Sequence, residues 1–400
     1  MTGAGWTLVW MCVLVAVNQI GFGAVVPALP LYAQSFGVPV SAIGLAVGVY
    51  GLARFAGSPP AGFLSDRFGR RKALALGGIV TALGNCWCAL ATSYPEFILA
   101  RFIAGAGAGL IVTTGQIVLA DITTVERRGR TVSIYQGVFI FAAGIGPFPG
   151  GLLSEHFGLK APFVAYSLAG IIAGLVAWFA VPETRDAGHV TRRRGEGAMP
   201  LLAQLHRLAG LRGFVLACFV SLANAVARTG GLFSVVPLLG SLRLGLNVTQ
   251  IGFGLALGTV IGFLAAYPGG MLVDHFGRKA VIAPSTILSG LSMLLFCAAP
   301  SYPWFIAASI IWGTASSIGG AAPSVYAADS APPGLNASTV SIFRMAGDIG
   351  YITGPVALGI ISDQFGAVTA LIIAAALLVI AGTLFAAFAP ETYRARDGKK

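Results

Sequence analysis

No charged residue occurs between Met1 and Arg54, and the stretches 244–273 and 280–328 are equally free of charge. An uncharged apolar run of about 20 residues is long enough to cross a bilayer as a helix. The composition agrees: 56% of residues are hydrophobic and 10% charged, against about 25% charged in a soluble globular domain. In hydrocarbon every backbone N–H and C=O must be paired within the protein, which leaves helices or closed barrels. A barrel writes ten-residue segments of alternating polarity, and the sequence lacks that alternation. The expected fold class is therefore an all-α membrane protein.

Polar punctuation divides the chain into twelve transmembrane helices, roughly 6–30, 41–64, 73–93, 95–121, 131–154, 161–182, 212–239, 248–272, 280–299, 302–328, 338–361 and 366–389. Residues 1–182 form an expected N-terminal six-helix bundle and 212–390 a C-terminal one. A polar linker, 183–211, joins them, and 391–400 is a charged tail. Of the 25 Lys and Arg, nineteen fall in the connections after helices 2, 4, 6 and 8 and in the tail, whereas only Lys160 and Arg243 lie in connections on the other side. The positive-inside rule then places both termini in the cytoplasm of a multi-pass protein of the cell inner (plasma) membrane. The N-terminal run has no basic flank and no cleavage site, so it reads as the first span and not a signal peptide. The basic residues line no single soluble face, which excludes a nucleic-acid partner. The five cysteines all fall in apolar runs without CxxC spacing and read as buried small hydrophobes, with no metal.

The two halves repeat each other. Gly62-Phe-Leu-Ser-Asp66-Arg67-Phe-Gly69-Arg70-Arg71-Lys72 is echoed 208 residues later by Gly270-Met-Leu-Val-Asp274-His-Phe-Gly277-Arg278-Lys279. At the same offset Ala120-Asp121 returns as Ala328-Asp329, Gly146-Pro147 as Gly354-Pro355, and Pro182-Glu183-Thr184 as Pro390-Glu391-Thr392. One offset held across six helices marks a duplication. Two parallel six-helix repeats predict a pseudo-two-fold axis along the membrane normal and a substrate site near the midplane between the halves.

These residues resemble the major facilitator superfamily over essentially the whole chain. The Gly62–Arg71 loop is similar to that family's signature between helices 2 and 3, and Arg101-Phe-Ile-Ala-Gly105 to its helix 4 motif. Gly146-Pro147-Phe-Pro-Gly150-Gly151 resembles the end of its antiporter motif, although Ser133 and Ala142 stand where that pattern carries glycine. The nearest branch is the twelve-helix drug–proton antiporters. The resemblance implies a secondary active transporter working by alternating access, a proton-coupled exporter of small amphipathic compounds acting as a monomer, with uptake of an organic anion or metabolite as the alternative. A cytoplasmic gate is expected at Gly62, Asp66, Gly69, Arg70, Asp121, Asp274, Arg278 and Asp329. Asp66 is placed to meet the N-terminus of helix 11 near Ser338 and Thr339, and Arg70 to pair with Asp121.

Charged side chains deep in spans are costly and usually face a cavity or a partner. Here they are Arg54, Arg101, Arg228, Arg344 and Asp348. The resemblance implies that helices 1, 4, 7 and 10 line the cavity, so Asn18, Gln19, Gln116, Asn224 and Arg228 are expected substrate-cavity residues, joined by Arg54 near the centre of helix 2. Asp348 is the only acid near mid-membrane and leads the expected proton-coupling set, with Arg344 one turn away on the same face and Arg101 second by resemblance. That Arg344–Asp348 pair reads almost equally well as an interhelical clamp. Gly146, Pro147, Gly354 and Pro355 are the expected hinges, since proline removes a helix hydrogen bond. Four mid-span arginines against one acid point to an anionic, zwitterionic or neutral substrate. Neither HExxH nor GxSxG occurs in a span and there is no P-loop, so an intramembrane enzyme and an ATP-driven pump are disfavoured, and no cofactor is expected. A transporter-like receptor would need a signalling domain for which the linker and tail leave no room.

Overall fold

The computed structural model describes residues 3–123, 125–184, 201–320, 322–332 and 335–391. The linker charges Arg185, Asp186, Arg192, Arg193, Arg194 and Glu196, the tail beyond Glu391, and the side chains of Asp274 and Ser338 lie outside the described residues. The described chain is helical: α1 (Gly3–Val25), α2 (Leu29–Gln34), α3 (Val40–Ala56), α4 (Ser58–Phe68), α5 (Arg70–Leu90), α6 (Tyr94–Ile122), α7 (Val125–Ile145), α8 (Pro147–Phe157) and α9 (Ala161–Phe179) come first. After them run α10 (Leu201–Ala209), α11 (Arg212–Val226), a π-helical segment (Ala227–Val235), α12 (Val236–Leu244), α13 (Val248–Phe276), α14 (Lys279–Ala298), α15 (Tyr302–Ile318), α16 (Ala322–Asp329), α17 (Asn336–Phe365) and α18 (Ala367–Phe388). Eleven stretches among the described residues are long and apolar enough to cross a membrane, and the bent pair α3–α4 makes a twelfth.

That bend, 40°, has a local cause. Pro59 and Pro60 have no N–H to donate to the carbonyls four residues back, so the span breaks at Gly57. The Ser58 hydroxyl donates back to the Arg54 carbonyl at 3.1 Å and accepts from Thr113 Oγ1 of α6, also at 3.1 Å.

The helices divide into two compact units, Met1–Arg192 with Pro237–Ala256, and Arg193–Val236 with Leu257–Lys400. Residues 237–256 join the first unit through glycine contacts and a ring pair. A Cβ on Gly252 would sit 2.1 Å from the Pro147 carbonyl, one on Gly151 would sit 2.6 Å from the Val248 carbonyl, and Phe148 meets Phe253 edge to face. Within the first unit, Gly105 on α6 lies against the Tyr50 carbonyl of α3, where a Cβ would come within 2.4 Å. Within the second unit, the equivalent Gly313 on α15 lies against the Gly258 carbonyl of α13, at 1.9 Å. Small residues let membrane helices approach to backbone contact, where dispersion and not the hydrophobic effect holds them together.

The outer faces are apolar. On α5, Ile79, Leu83 and Leu90 are exposed at helical spacing, a stripe that water would penalise and lipid covers. Cys86 is exposed on this stripe, which corrects the expectation that every cysteine is buried: Cys88 and Cys297 are, Cys12 and Cys218 only partly, and all five are free thiols.

Candidate functional site

The signature loop folds around Arg70. Its Nη1 donates to Asp66 Oδ1 at 2.7 Å and to the Ser65 carbonyl at 3.0 Å, and its Nε donates to Asp121 Oδ2 at 3.0 Å. One guanidinium thus ties the end of α4, the start of α5 and the end of α6. The pair with Asp121 is sheltered, each side chain 11% exposed, whereas Asp66 is 70% exposed. The Thr184 hydroxyl donates to the same Asp121 oxygen at 3.1 Å. Glu183, just past the end of the sixth span, caps α5: its Oε1 accepts the Arg70 N–H at 2.8 Å and its Oε2 the Arg71 N–H at 3.2 Å. A carboxylate there satisfies two of the free N–H groups of a helix start and meets the positive end of the helix dipole.

The second unit repeats this geometry 208 positions on. Arg278 Nε donates to Asp329 Oδ2 at 3.1 Å, and the N–H groups of Arg278 and Lys279 are accepted by Glu391 at 3.3 and 3.1 Å. The copy is looser, with Arg278 18% and Asp329 36% exposed.

Both clamps depend on glycine. Gly69 has φ +97° and Gly277 φ +93°, a region that side chains rarely enter. A Cβ on Gly69 would also lie 2.3 Å from Glu183 Oε2, while Gly158, at φ +86°, has nothing within 4 Å. Backbone strain alone costs about 1–3 kcal/mol. Thermal unfolding of Gly69→Ala should therefore show a larger loss than Gly158→Ala, the difference being the displaced clamp. Equal losses would mean that Glu183 holds nothing.

At mid-span the first unit carries a buried polar group of a different kind. Arg101 is 2% exposed. Its Nε donates to the Ala46 carbonyl at 3.2 Å and its guanidinium lies 4.4 Å from the Tyr50 ring centroid, a cation–π contact. Tyr50 in turn stacks on Phe22 and shares a 2.9 Å hydrogen bond with the Tyr166 hydroxyl. Arg101 Nη1 and both polar atoms of the Asn18 side chain are buried and meet no hydrogen-bond partner. Gln19 is buried, and Arg54 and Gln116 are half-buried.

In the second unit Asn224 Nδ2 returns to the Val220 carbonyl of its own helix at 2.9 Å. Arg228 lies in the π-helical segment and is exposed, while Arg344 and Asp348 sit one turn apart on α17, exposed and half-buried. Trp312 and Tyr326 are buried; Tyr326 packs edge to face on Phe385 and donates to the Pro390 carbonyl at 2.7 Å.

The Gly-Pro pairs reveal how a lost helix bond is absorbed. Pro147 leaves the Ala143 carbonyl without its helix donor, and Gly23 of α1 closes on that carbonyl so tightly that a Cβ would be 2.2 Å away. Pro355 likewise frees the Tyr351 carbonyl, which accepts from Thr229 Oγ1 at 3.3 Å. The first pair splits α7 from α8, but α17 runs unbroken through Pro355.

The family model of the Major Facilitator Superfamily matches residues 11–267 and 218–400. The chain belongs to the major facilitator superfamily. Among its relatives, the uncharacterised MFS-type transporter MJ1560 of Methanocaldococcus jannaschii is 23% identical over 351 residues, 87% of this chain and 89% of the relative. Citrate exporter 1 of Aspergillus niger is 29% identical over 60% of this chain and 53% of its own length, so the match spans about half of that protein. The quinolone resistance protein NorA of Staphylococcus aureus is 23% identical over 72% of each chain. In structure, a bacterial homolog of the human lysosomal transporter Spinster, in an inward-facing and occupied conformation, superposes with a TM-score of 0.76 at 17% identity, covering 95% of this chain and 96% of that one. A D-xylose–proton symporter superposes at 0.75 and 18% identity, covering 96% and 98%.

Within this superfamily transporter, sequence reasoning missed Glu183 and Glu391 as members of the charged clusters. The signal was present, since Pro-Glu-Thr recurs at the repeat offset, but nothing local says that a carboxylate after one span caps the start of another. Tyr50 and Tyr166 were also missed, and a tyrosine in an apolar run gives no sign of its partner.

Proposed function

We propose that this superfamily member is a secondary active transporter working by alternating access: a proton-coupled exporter of small amphipathic compounds in the cell membrane, with both termini cytoplasmic. The observation that carries this reading is the duplicated cluster in which one arginine is shared between helix ends, Arg70 with Asp66 and Asp121, and Arg278 with Asp329. The pairs with Asp66, 70% exposed, and with Asp329, 36% exposed, are individually weak, so they can form in one state and separate in another at modest cost, while the sheltered Asp121 pair holds the cluster together. A drug-resistance protein and a citrate exporter among the relatives support the direction of transport. In each repeat, polar side chains at mid-span meet the substrate: Asn18, Gln19, Arg54 and Gln116 in the first, Asn224 and Arg228 in the second. Asp348 carries the proton, with Arg344 beside it stabilising the charged form and Arg101 assisting.

The test is flux in proteoliposomes under an imposed pH gradient, with a panel holding a fluoroquinolone, a lipophilic cation and citrate. Wild type should move at least one probe against its gradient in exchange for protons, and Asp348→Asn should lose the dependence on the pH gradient. Full pH-driven transport by Asp348→Asn would refute the coupling role, and flux in the same direction as the protons would replace export by uptake.

A further inference from the structure

We propose that Arg228 makes the transport site selective for organic anions, by placing an uncompensated positive charge at mid-span; this rests on the transport reading and narrows its substrate class. The stretch Arg212–Leu244 is one 33-residue span with Arg228 near its middle. A lone arginine at the centre of a membrane helix is unfavourable unless a carboxylate, backbone carbonyls or water relieve it. Among the described residues the Arg228 guanidinium has no ion pair and no hydrogen bond; its electrostatic neighbour is Tyr351.

The local backbone explains the presentation. Ala227, Thr229, Gly230, Gly231 and Leu232 are all buried, and Arg228 is the exposed residue among them. Thr229 and Gly230 are pinned to α17: the hydroxyl bonds the Tyr351 carbonyl, and a Cβ on Gly230 would lie 2.6 Å from the Gly354 carbonyl. That fixes the buried side of the segment and leaves Arg228 on the accessible one. The segment is π-helical, a wider turn that recurs at functional sites and is otherwise uncommon; Ser234 Oγ donates to the carbonyl five residues back, Thr229, at 3.0 Å.

The first unit holds a second guanidinium that lacks a carboxylate. Arg101 is buried with Nη1 unpartnered and has no carboxylate within salt-bridge distance among the described residues. A guanidinium presents a planar fork of donors that fits carboxylate, sulfonate or phosphate oxygens in pairs. It repels an organic cation at the same range, more strongly the less water lies between them. The ligand that relieves the unpaired charge is an amphipathic anion.

The experiment reads the local potential without knowing the substrate. In protein whose native cysteines are replaced, Asn224→Cys puts a thiol one turn from Arg228; a second variant keeps only the native Cys218 on the same helix. Each is reacted with anionic methanethiosulfonate ethylsulfonate and with the cationic ethyltrimethylammonium analogue, and the rate ratio is divided by that of free mercaptoethanol. The proposal expects a normalised preference for the anionic reagent of about tenfold or more beside Arg228, weaker at Cys218, falling to within about twofold of unity in Arg228→Gln. A ratio at or below unity, a preference unchanged by Arg228→Gln, or no reaction of either thiol overturns it. So does tetraphenylphosphonium flux that Arg228→Gln leaves unchanged, a result under which the transport reading would still stand. Absence of any pH-driven flux would instead sink the transport reading while the potential measurement stood.

Discussion

Arg70→Met should lower the unfolding midpoint of the detergent-solubilised protein by on the order of 10 °C, the largest effect expected of any charge substitution here. Arg70 makes three side-chain hydrogen bonds, two to the end of α4 and one to the end of α6. Its removal leaves Asp121, 11% exposed, with only the Thr184 hydroxyl. Breaking a sheltered pair from one side costs about 3–5 kcal/mol, because the remaining charge stays desolvated, and each kcal/mol moves the midpoint of a domain of this size by roughly 2–4 °C. Removing both partners, Arg70→Met with Asp121→Leu, should recover much of the loss. Arg278→Met should cost far less, since Asp329 is 36% exposed and water can replace its partner. Equal effects at the two arginines would contradict the asymmetry seen between the two clusters.

Gly105→Val should be comparably damaging for an unrelated reason. The Cβ would lie 2.4 Å from the Tyr50 carbonyl oxygen and 3.0 Å from Tyr50 Cα, so the obstruction is backbone and cannot swing aside. Separating α3 from α6 costs about 3 kcal/mol or more by overpacking. It also draws Tyr50 away from Arg101 and Tyr166, so loss of transport should accompany loss of stability. Gly137→Ala is the matched control: nothing lies within 4 Å of its Cβ, and alanine should be neutral or slightly stabilising in that helix. Comparable yields and midpoints for Gly105→Val and Gly137→Ala would show that α3 and α6 have slack between them.

The fold was legible because lipid reads sequence bluntly. Charge-free runs mark the spans, and a constant offset of 208 residues marks the duplication. The α3–α4 break was written as Ser-Pro-Pro, yet hydropathy alone runs across it. Arg70 and Asp121 were legible as neighbours because each stands at a span end in a repeated motif. Less legible was the glycine chemistry. Gly146 and Gly354 stand next to prolines that lose helix bonds, and flexibility was the natural expectation. In the structure they are also places where one helix rests on another's backbone: a Cβ on Gly146 would be 2.6 Å from the Ile20 carbonyl, and one on Gly354 would be 2.7 Å from Val226 Cα. Which helix comes close is a tertiary fact that no window of sequence contains. The same holds for the π-helical turn at Arg228, since nothing in Ala-Arg-Thr-Gly-Gly distinguishes it from an α-helical stretch.

The most direct test of alternating access is a pair of spin labels in lipid nanodiscs, one replacing exposed Arg67 in the first repeat and one replacing exposed His275 in the second. Pulsed electron–electron resonance should resolve two distance populations. Their ratio should shift between acidic and neutral pH, and shift again in Arg70→Met, which removes the charged cluster at the end of α4. A single narrow distribution that neither pH nor Arg70→Met alters would contradict the account.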